Sequence, residues 1–320
     1  MANQTIQVLD LDGALNGQSF LPTTARRLPL GHWGPQLRMA CSFARFAKFS
    51  SELADLLPDT QPAISFIGSG DFHHVTLALL ARQPRLFNLL VIDNHPDWMR
   101  GLPFLHCGTW LYHAARLPNV RRIFHVGGDV DFDNRFRWMA PWLLVRSGKI
   151  VVLPAVRRLH RGHWLGIPNH AVRRNGSFSL ARLLSILHPY RSEIAELPLY
   201  ISVDKDALVS SEAIVNWDSG HLHLDEMTTV LETFLDAARG RLAGFDTVGD
   251  WSPVVVRGWL RRLLHWTEHP RLSVDSDEAA RRNEFVNRRL LQVLEIHAQR
   301  IRTATHDNRL YSRTVSPATY

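Results

Sequence analysis

Two rhythms of apolar and polar positions alternate along this chain. Short apolar runs bounded by turn residues occur at Ala63–Gly68, Leu89–Asp93, Arg122–Val126, Ile150–Leu153, Leu199–Val203 and Leu242–Asp246. Runs of this length and composition predict buried strands. Between them, apolar residues recur at helical spacing over Val75–Ala81 and Leu222–Ala238. Strands alternating with helices predict a parallel sheet covered on both faces, with functional side chains gathered beyond the carboxyl ends of the strands. The first 50 or so residues carry a weaker pattern and predict an edge strand plus loops. After His269-Pro270 the register changes. Acids at the start of Asp275–Arg300 and arginines later predict a long C-terminal helix. The polar tail from Thr303 is expected to be mobile or to wrap a neighbouring subunit. With no repeat, low-complexity tract or linker, residues 1–320 are expected to form one α/β domain, with the helix and tail from about 270 appended.

The strand ends carry the chemistry. In NLLVIDNHPDW the apolar run stops at Asp93, and Asp93, His95 and Asp97 follow at every second position. Side chains at i, i+2 and i+4 of an extended segment project to one side. Pro96 fits where the ladder has ended and no backbone donor is needed. LYISVDKDAL repeats the device with Asp204 and Asp206, and ISFIGSGDFHHVT leaves its strand through Gly68-Ser69-Gly70 to deliver Asp71, His73 and His74. Taken singly, an aspartate at a strand end caps the next helix, and paired histidines decorate a loop. Together, carboxylates and imidazoles converging on one sheet edge would repel unless a cation sat among them. Mixed imidazole and carboxylate ligands suit Mn, Fe or Zn better than Ca.

Composition narrows the classes. The 45% hydrophobic and 21% charged content is that of a soluble globular chain. No apolar stretch approaches the roughly 20 residues of a membrane span, and MANQTIQVLDLDG lacks a secretory pattern. Cys41 and Cys107 are too few for a disulfide scaffold, so a reducing, cytoplasmic setting is expected. The formal charge of +7 invites a nucleic-acid reading. The arginines, however, are scattered in pairs such as Arg26-Arg27, Arg121-Arg122 and Arg281-Arg282, which suits solvated helix faces or carboxylates at a subunit contact. Neither a nucleic-acid partner nor a membrane partner is expected.

These motifs resemble the ureohydrolase superfamily, which includes arginase, agmatinase and formiminoglutamase and is more distantly related to the histone deacetylases. The family's Gly-Gly-Asp-His element resembles Gly68-Ser69-Gly70-Asp71-Phe72-His73, and its Asp-Ala-His-x-Asp element resembles Asp93-Asn94-His95-Pro96-Asp97. Its Ser-x-Asp-x-Asp element is matched by Ser202-Val203-Asp204-Lys205-Asp206, and a His-Gly pair after the second motif finds a counterpart in His106-Cys107-Gly108. The resemblance covers roughly Ala63 to Pro253. It implies a three-layer αβα sandwich around a mostly parallel sheet of about eight strands. It also implies two Mn²⁺ ions per subunit, with Zn or Fe as alternatives, and a homo-oligomer acting on a small molecule. Carried over by position, Asp93 and Asp204 would bridge the metals. His73 and Asp97 would complete one coordination sphere, and His95 and Asp206 the other. Such a pair of cations lowers the pKa of a shared water, Asp97 and His106 being the catalytic candidates and His106 the group that moves protons.

Departures bear on substrate. Phe72 is an extra residue in the first motif, leaving His73 and His74 as alternatives; His73 is favoured because His74 opens a helical pattern. Val209-Ser210 follows the third motif where the family has Asp-Pro, and Trp98-Met99 stands where arginases carry polar residues. At the spacing of the family's guanidinium-holding Glu this chain has Gly249, with Asp250 next to it. Asp250, Trp98 and Trp217 are therefore the substrate-binding candidates. Trp110 and Trp251 also lie beside the motifs, and core packing is the plainer role of any one tryptophan. Cys107 is expected to be buried filler. The expectation is a metal-dependent hydrolase of linear C–N bonds, of guanidino or amidine type, with an altered pocket. The rivals are a deacetylase-like amide hydrolase and a non-catalytic arginase-fold binding protein.

Overall fold

The computed structural model describes residues 5–57, 62–100, 103–128, 139–155, 172–174, 177–254, 263, 269 and 273–314. Its strands, in chain order, are β1 (Thr5–Leu9), β2 (Arg26–Leu28), β3 (Ala40–Ser42), β4 (Ala63–Gly68), β5 (Phe87–Ile92), β6 (Phe104–His106), β7 (Val120–Val126), β8 (Ile150–Leu153), β9 (Arg173–Arg174), β10 (Ser177–Phe178), β11 (Leu199–Asp204) and β12 (Leu242–Val248). Eight of them form the main sheet in the order β2-β1-β4-β12-β11-β5-β7-β8. Every neighbouring pair in it is parallel. The pairs β3–β6 and β9–β10 are short antiparallel ribbons.

Helices cover both faces, giving a three-layer α/β sandwich, and the alternation along each central strand explains why. In β5, Leu90 and Ile92 enter one core with Phe66, Ile201, Val203 and Phe245, against the helices Leu180–Leu187, Leu224–Ala237 and Ser276–Thr314. Leu89 and Val91 enter the other core with Ile67, Ile123 and Val248, against Phe43–Leu56, Thr76–Ala81 and Trp110–Ala114. A strand buried on both sides must be apolar at nearly every position, so its sequence is a continuous run. Each such side chain contributes about 1.5–3 kcal/mol by leaving water.

The six expected strands are all present, β5 and β7 starting two residues earlier at Phe87 and Val120, and β12 running on to Val248. The N-terminal region differs from expectation. β1 is interior, pairing with both β2 and β4, and β2 is the edge. The helix Phe43–Leu56 follows, its first turn capped by the Ser42 hydroxyl, which accepts from the Arg45 amide at 3.3 Å. The C-terminal helix begins at Ser276 and continues to Thr314 instead of ending near Arg300. Much of the tail expected to be mobile is thus helical backbone; residues 315–320, like Pro270, lie outside the described residues. Among the described residues no helix is long and apolar enough to cross a membrane.

One topological fact positions the site. β11 and β12 lie between β4 and β5, so the carboxyl ends of four central strands stand side by side. The ladders place Ile92 beside Val203, Asp204 beside Val248, and Val248 beside Gly68. The three motifs, the third more than 100 residues beyond the first two in sequence, end at one rim.

Candidate metal centre

Each motif turns out of its strand by the same local device. Asp93 Oδ1 accepts the amide of His95 at 2.7 Å, and Asp204 Oδ1 accepts the amide of Asp206 at 3.0 Å. Such a side-chain-to-backbone turn stops the ladder and fixes the carboxylate. It leaves the second oxygen of each aspartate for other use. After β4, Gly68 at φ +102 and the short 3-10 turn Gly70–Val75 deliver His73 into the same space.

There, His73 Nδ1 lies 3.1 Å from Asp93 Oδ2, 3.3 Å from Asp97 Oδ2 and 3.5 Å from Asp204 Oδ2. His95 Nδ1 lies 2.8 Å from Asp206 Oδ2 and 3.9 Å from Asp93 Oδ1. Two sets of ligand atoms lie mutually within 4.8 Å, His73–Asp93–Asp204 and Asp93–His95–Asp206, and Asp93 belongs to both. His73 Nδ1 and Asp93 Oδ2 are buried without a hydrogen-bond partner despite their approach. Two orphaned lone-pair carriers facing each other in a buried space fit a cation.

The electrostatics agree. Burial, then the charges of Asp206 and Asp93, push the Asp204 pKa well above the ordinary carboxylate range. Burial and Asp93 carry Asp97 up to about 7. Burial opposes charge on His95, yet Asp206 raises it to about 10. Burial likewise opposes charge on His73, but Asp93 and Asp97 lift it well above its usual value. Burial favours the neutral form of Asp93 too, and His73 nevertheless draws it to about 2. Without a metal, protons hold this cluster together; a divalent cation would do the same work with the ligands ionised.

Asp97 stands beside the first set rather than in it. Its φ is +47, an uncommon conformation for a residue with a side chain. Its Oδ2 accepts the Trp110 indole N–H at 2.8 Å. Trp110, for which core packing is the plainer role, is fully buried and also orients the Asp97 carboxylate. Asp71 does not join the cluster. Its carboxylate accepts from Arg38 Nε at 2.7 Å, His269 Nε2 at 2.8 Å and Trp217 Nε1 at 3.0 Å. His74 lies in the helical layer, its ring 6.2 Å from that of Phe46, so His73 is the histidine at the cluster.

The remaining candidates separate. Trp217 is half-buried, 5.6 Å from the His95 ring and 4.9 Å from that of His269, and forms a wall of the site. Trp98 is instead buried in the core that holds Leu105 and Trp110. Asp250 corrects the expectation of a substrate-holding acid. It is 0% exposed and paired with Lys205, whose Nζ lies 2.8 Å away and is equally buried. Its other oxygen accepts from Gln18 Nε2 at 2.7 Å and Asn287 Nδ2 at 3.1 Å. A guanidinium could reach it only by displacing Lys205. His106 also differs from its expected role. Its Nδ1 accepts the Gly108 amide at 3.1 Å, and burial followed by the charge of His113 lowers its pKa to about 4. A neutral, cap-forming imidazole is poorly suited to accept protons at neutral pH. Burial, then Asp97, Asp71 and Asp204, push the Cys107 thiol up, so it is an inert neighbour of the site.

Sequence reasoning missed Arg38, His269, Lys205 and Asp246. Asp246 alone left a usable signal: it ends the strand candidate Leu242–Asp246 just as Asp93 ends Leu89–Asp93.

No family model matches the chain. An uncharacterized protein of Thermotoga maritima is 24% identical over 203 residues, 63% of this chain and 64% of that protein, so the chain spans under two thirds of that relative's length. The agmatine ureohydrolase of Thermoplasma volcanium superposes with a TM-score of 0.51 at 14% identity, covering 95% of this chain and 92% of that one. The formimidoylglutamase of Bacillus subtilis gives 0.53 at 13% identity, covering 92% and 87%. The proclavaminate amidino hydrolase of Streptomyces clavuligerus gives 0.51 at 14%, covering 91% of each. The fold is that of the ureohydrolases. At these identities the shared property is architecture.

Proposed function

We propose that the protein is a binuclear-metal-dependent hydrolase of linear, non-peptide C–N bonds, built on the ureohydrolase frame with an altered substrate pocket. The observation that carries this reading is Asp93, shared by two sets of ligand atoms at the rim of the sheet. His73, Asp93 and Asp204 would hold one cation, with Asp97 beside them, and Asp93, His95 and Asp206 the other. The imidazole–carboxylate donor set suits Mn²⁺, with Zn²⁺ or Fe²⁺ as alternatives. When bound, such a pair supplies the Lewis acidity that makes water a nucleophile at neutral pH.

The chain's own residues do the rest. Trp110 holds Asp97 by its indole N–H, and the Asx turns hold Asp93 and Asp204, so the carboxylates are set before substrate arrives. His95, whose side chain is 34% exposed, marks the open side, and Trp217 beside it offers a flat apolar surface to substrate. Gly249 brings no carboxylate, and Asp250 is already paired, so the grip that a guanidinium wants is missing from both positions. Trp98-Met99 stands where a polar reader of the amino-acid end would be, so free arginine is expected to be a poor substrate. Guanidino or amidine compounds lacking an amino-acid end form the first substrate class. The same missing acid favours a second reading, a deacetylase-like amide hydrolase.

The test is elemental analysis of purified protein, followed by urea, ammonia and amine release from Mn²⁺-loaded protein. The panel is arginine, agmatine, guanidino acids and simple acyl amides. Arginine emerging best by kcat/KM would overturn the pocket argument. Absence of metal uptake would favour the non-catalytic binding protein.

A further inference from the structure

Behind His73 lies a further buried carboxylate that belongs to neither ligand set. Asp246 is 0% exposed, near the end of β12. Three hydroxyls donate to it: Thr76 Oγ1 at 3.0 Å and Ser202 Oγ at 2.7 Å to Oδ1, and Tyr200 at 2.8 Å to Oδ2. Ser202 and Asp246 are register partners in the β11–β12 ladder, so the sheet itself sets their approach. Ser202 Oγ also lies 3.0 Å from His73 Nε2.

A hydroxyl carries one hydrogen. With that hydrogen donated to Asp246, Ser202 can only accept at its other contact, which requires the hydrogen of the His73 ring to sit on Nε2. The lone pair of Nδ1 is then left toward Asp93, Asp97 and Asp204. We propose that Asp246 acts through Ser202 as a positioning residue for His73, fixing the ring orientation and the nitrogen offered to the metal. The inference rests on His73 being a ligand, as proposed above. Without an acceptor at Asp246, the Ser202 hydrogen would turn to Nε2, place the ring hydrogen on Nδ1 and close the ligand position. Tyr200 binds the far oxygen of Asp246 and has no part in this orientation.

The test is metal binding, read as affinity and stoichiometry by competition with a chelating indicator, on the full chain. Ser202→Ala and Asp246→Leu should weaken one of two Mn²⁺ equivalents by about tenfold to a hundredfold, the range for losing a partner of a ligating histidine. Asp246→Asn keeps an oxygen that accepts from Ser202, and should restore binding to within a few-fold of wild type. Tyr200→Phe should bind as wild type. In Zn²⁺-loaded protein labelled with ¹⁵N-histidine, the His73 ring hydrogen should be found on Nε2. Should Asp246→Leu fail to fold, Ser202→Ala, which removes one oxygen, tests the same link. Wild-type affinity for both equivalents in Ser202→Ala would overturn the proposal, as would Asp246→Asn losing as much as Asp246→Leu. A wild-type protein that takes up no divalent cation would instead overturn the metal reading, a distinguishable result.

Discussion

Replacing Lys205 by Met removes one charge from a pair that water does not reach. Lys205 and Asp250 are each 0% exposed and 2.8 Å apart, and the methionine keeps most of the stem volume. Breaking a buried pair by deleting one partner costs about 3–5 kcal/mol, because the other charge is left uncompensated. Here Asp250 would keep its bonds from Gln18 and Asn287, which points to the lower end, about 3 kcal/mol. At roughly 2–4 °C per kcal/mol for a chain of this size or somewhat smaller, Tm should fall by about 6–12 °C. In Lys205→Met/Asp250→Leu both charges are gone, and most of the loss should return. Chemical denaturation of the two variants and the wild type gives the comparison. A single variant within about 0.5 kcal/mol of wild type, or a double variant worse than the single, would refute the view that this pair is a closed structural unit.

Three further outcomes follow from the cluster. Asp204→Ala removes a carboxylate whose charge is disfavoured by burial and by Asp206 and Asp93, so metal-free variant should melt no lower than metal-free wild type, while losing the Tm rise expected of Mn²⁺ in the wild type; full metal content by elemental analysis would contradict this. Asp206, against the penalty of burial, holds a proton on His95 up to about pH 10, and burial with Asp93 holds one on Asp97 up to about 7. A cation must displace these protons, so affinity should climb from about pH 6 to pH 8, with proton release seen by calorimetry in buffers of unlike ionisation heat; a flat profile would refute it. Gly249→Ala sets a Cβ 2.5 Å from Asp204 Oδ1 at a residue with φ +88. It should cost about 1–3 kcal/mol and weaken metal binding, as measured by unfolding and by metal titration.

How much of this was legible in sequence depended on distance along the chain. The period-two motifs were readable because a strand end converts local spacing into direction, which is why Asp93, His95, Asp204 and Asp206 meet as expected. His73 over His74 was the reading of the motif, although both lie in the one turn Gly70–Val75 and the helix opens only at Thr76, so the packing of His74 against Phe46 is what separates them. The pairs that mattered otherwise are long-range: Arg38 with Asp71, Lys205 with Asp250, Ser202 with Asp246. No periodicity marks such partners, since the sheet order brings them together. Asp250 looked like a substrate acid for the same reason, its buried counter-ion lying 45 residues away. The first 50 or so residues, expected to hold an edge strand plus loops, do supply the edge strand β2, but also the interior β1 and the start of the helix Phe43–Leu56, whose patterns are interrupted by polar residues.

The insertion of β11 and β12 between β4 and β5 also sets a calendar for the making of this protein. When a ribosome has finished β5, His73 is already made and Asp93, His95 and Asp97 lie just beyond, yet β4 and β5 are joined only through β12 and β11, which end at Val248 and Asp204. Until then each carries an unpaired edge, and His73, Asp93, His95 and Asp97 wait without Asp204 and Asp206. Loops of that length close late and expose their edges meanwhile. If these groups take up the proposed metal, its capture would therefore belong to the end of biosynthesis. A nascent chain halted before Leu199 would hold the histidines of the centre and no cation between them.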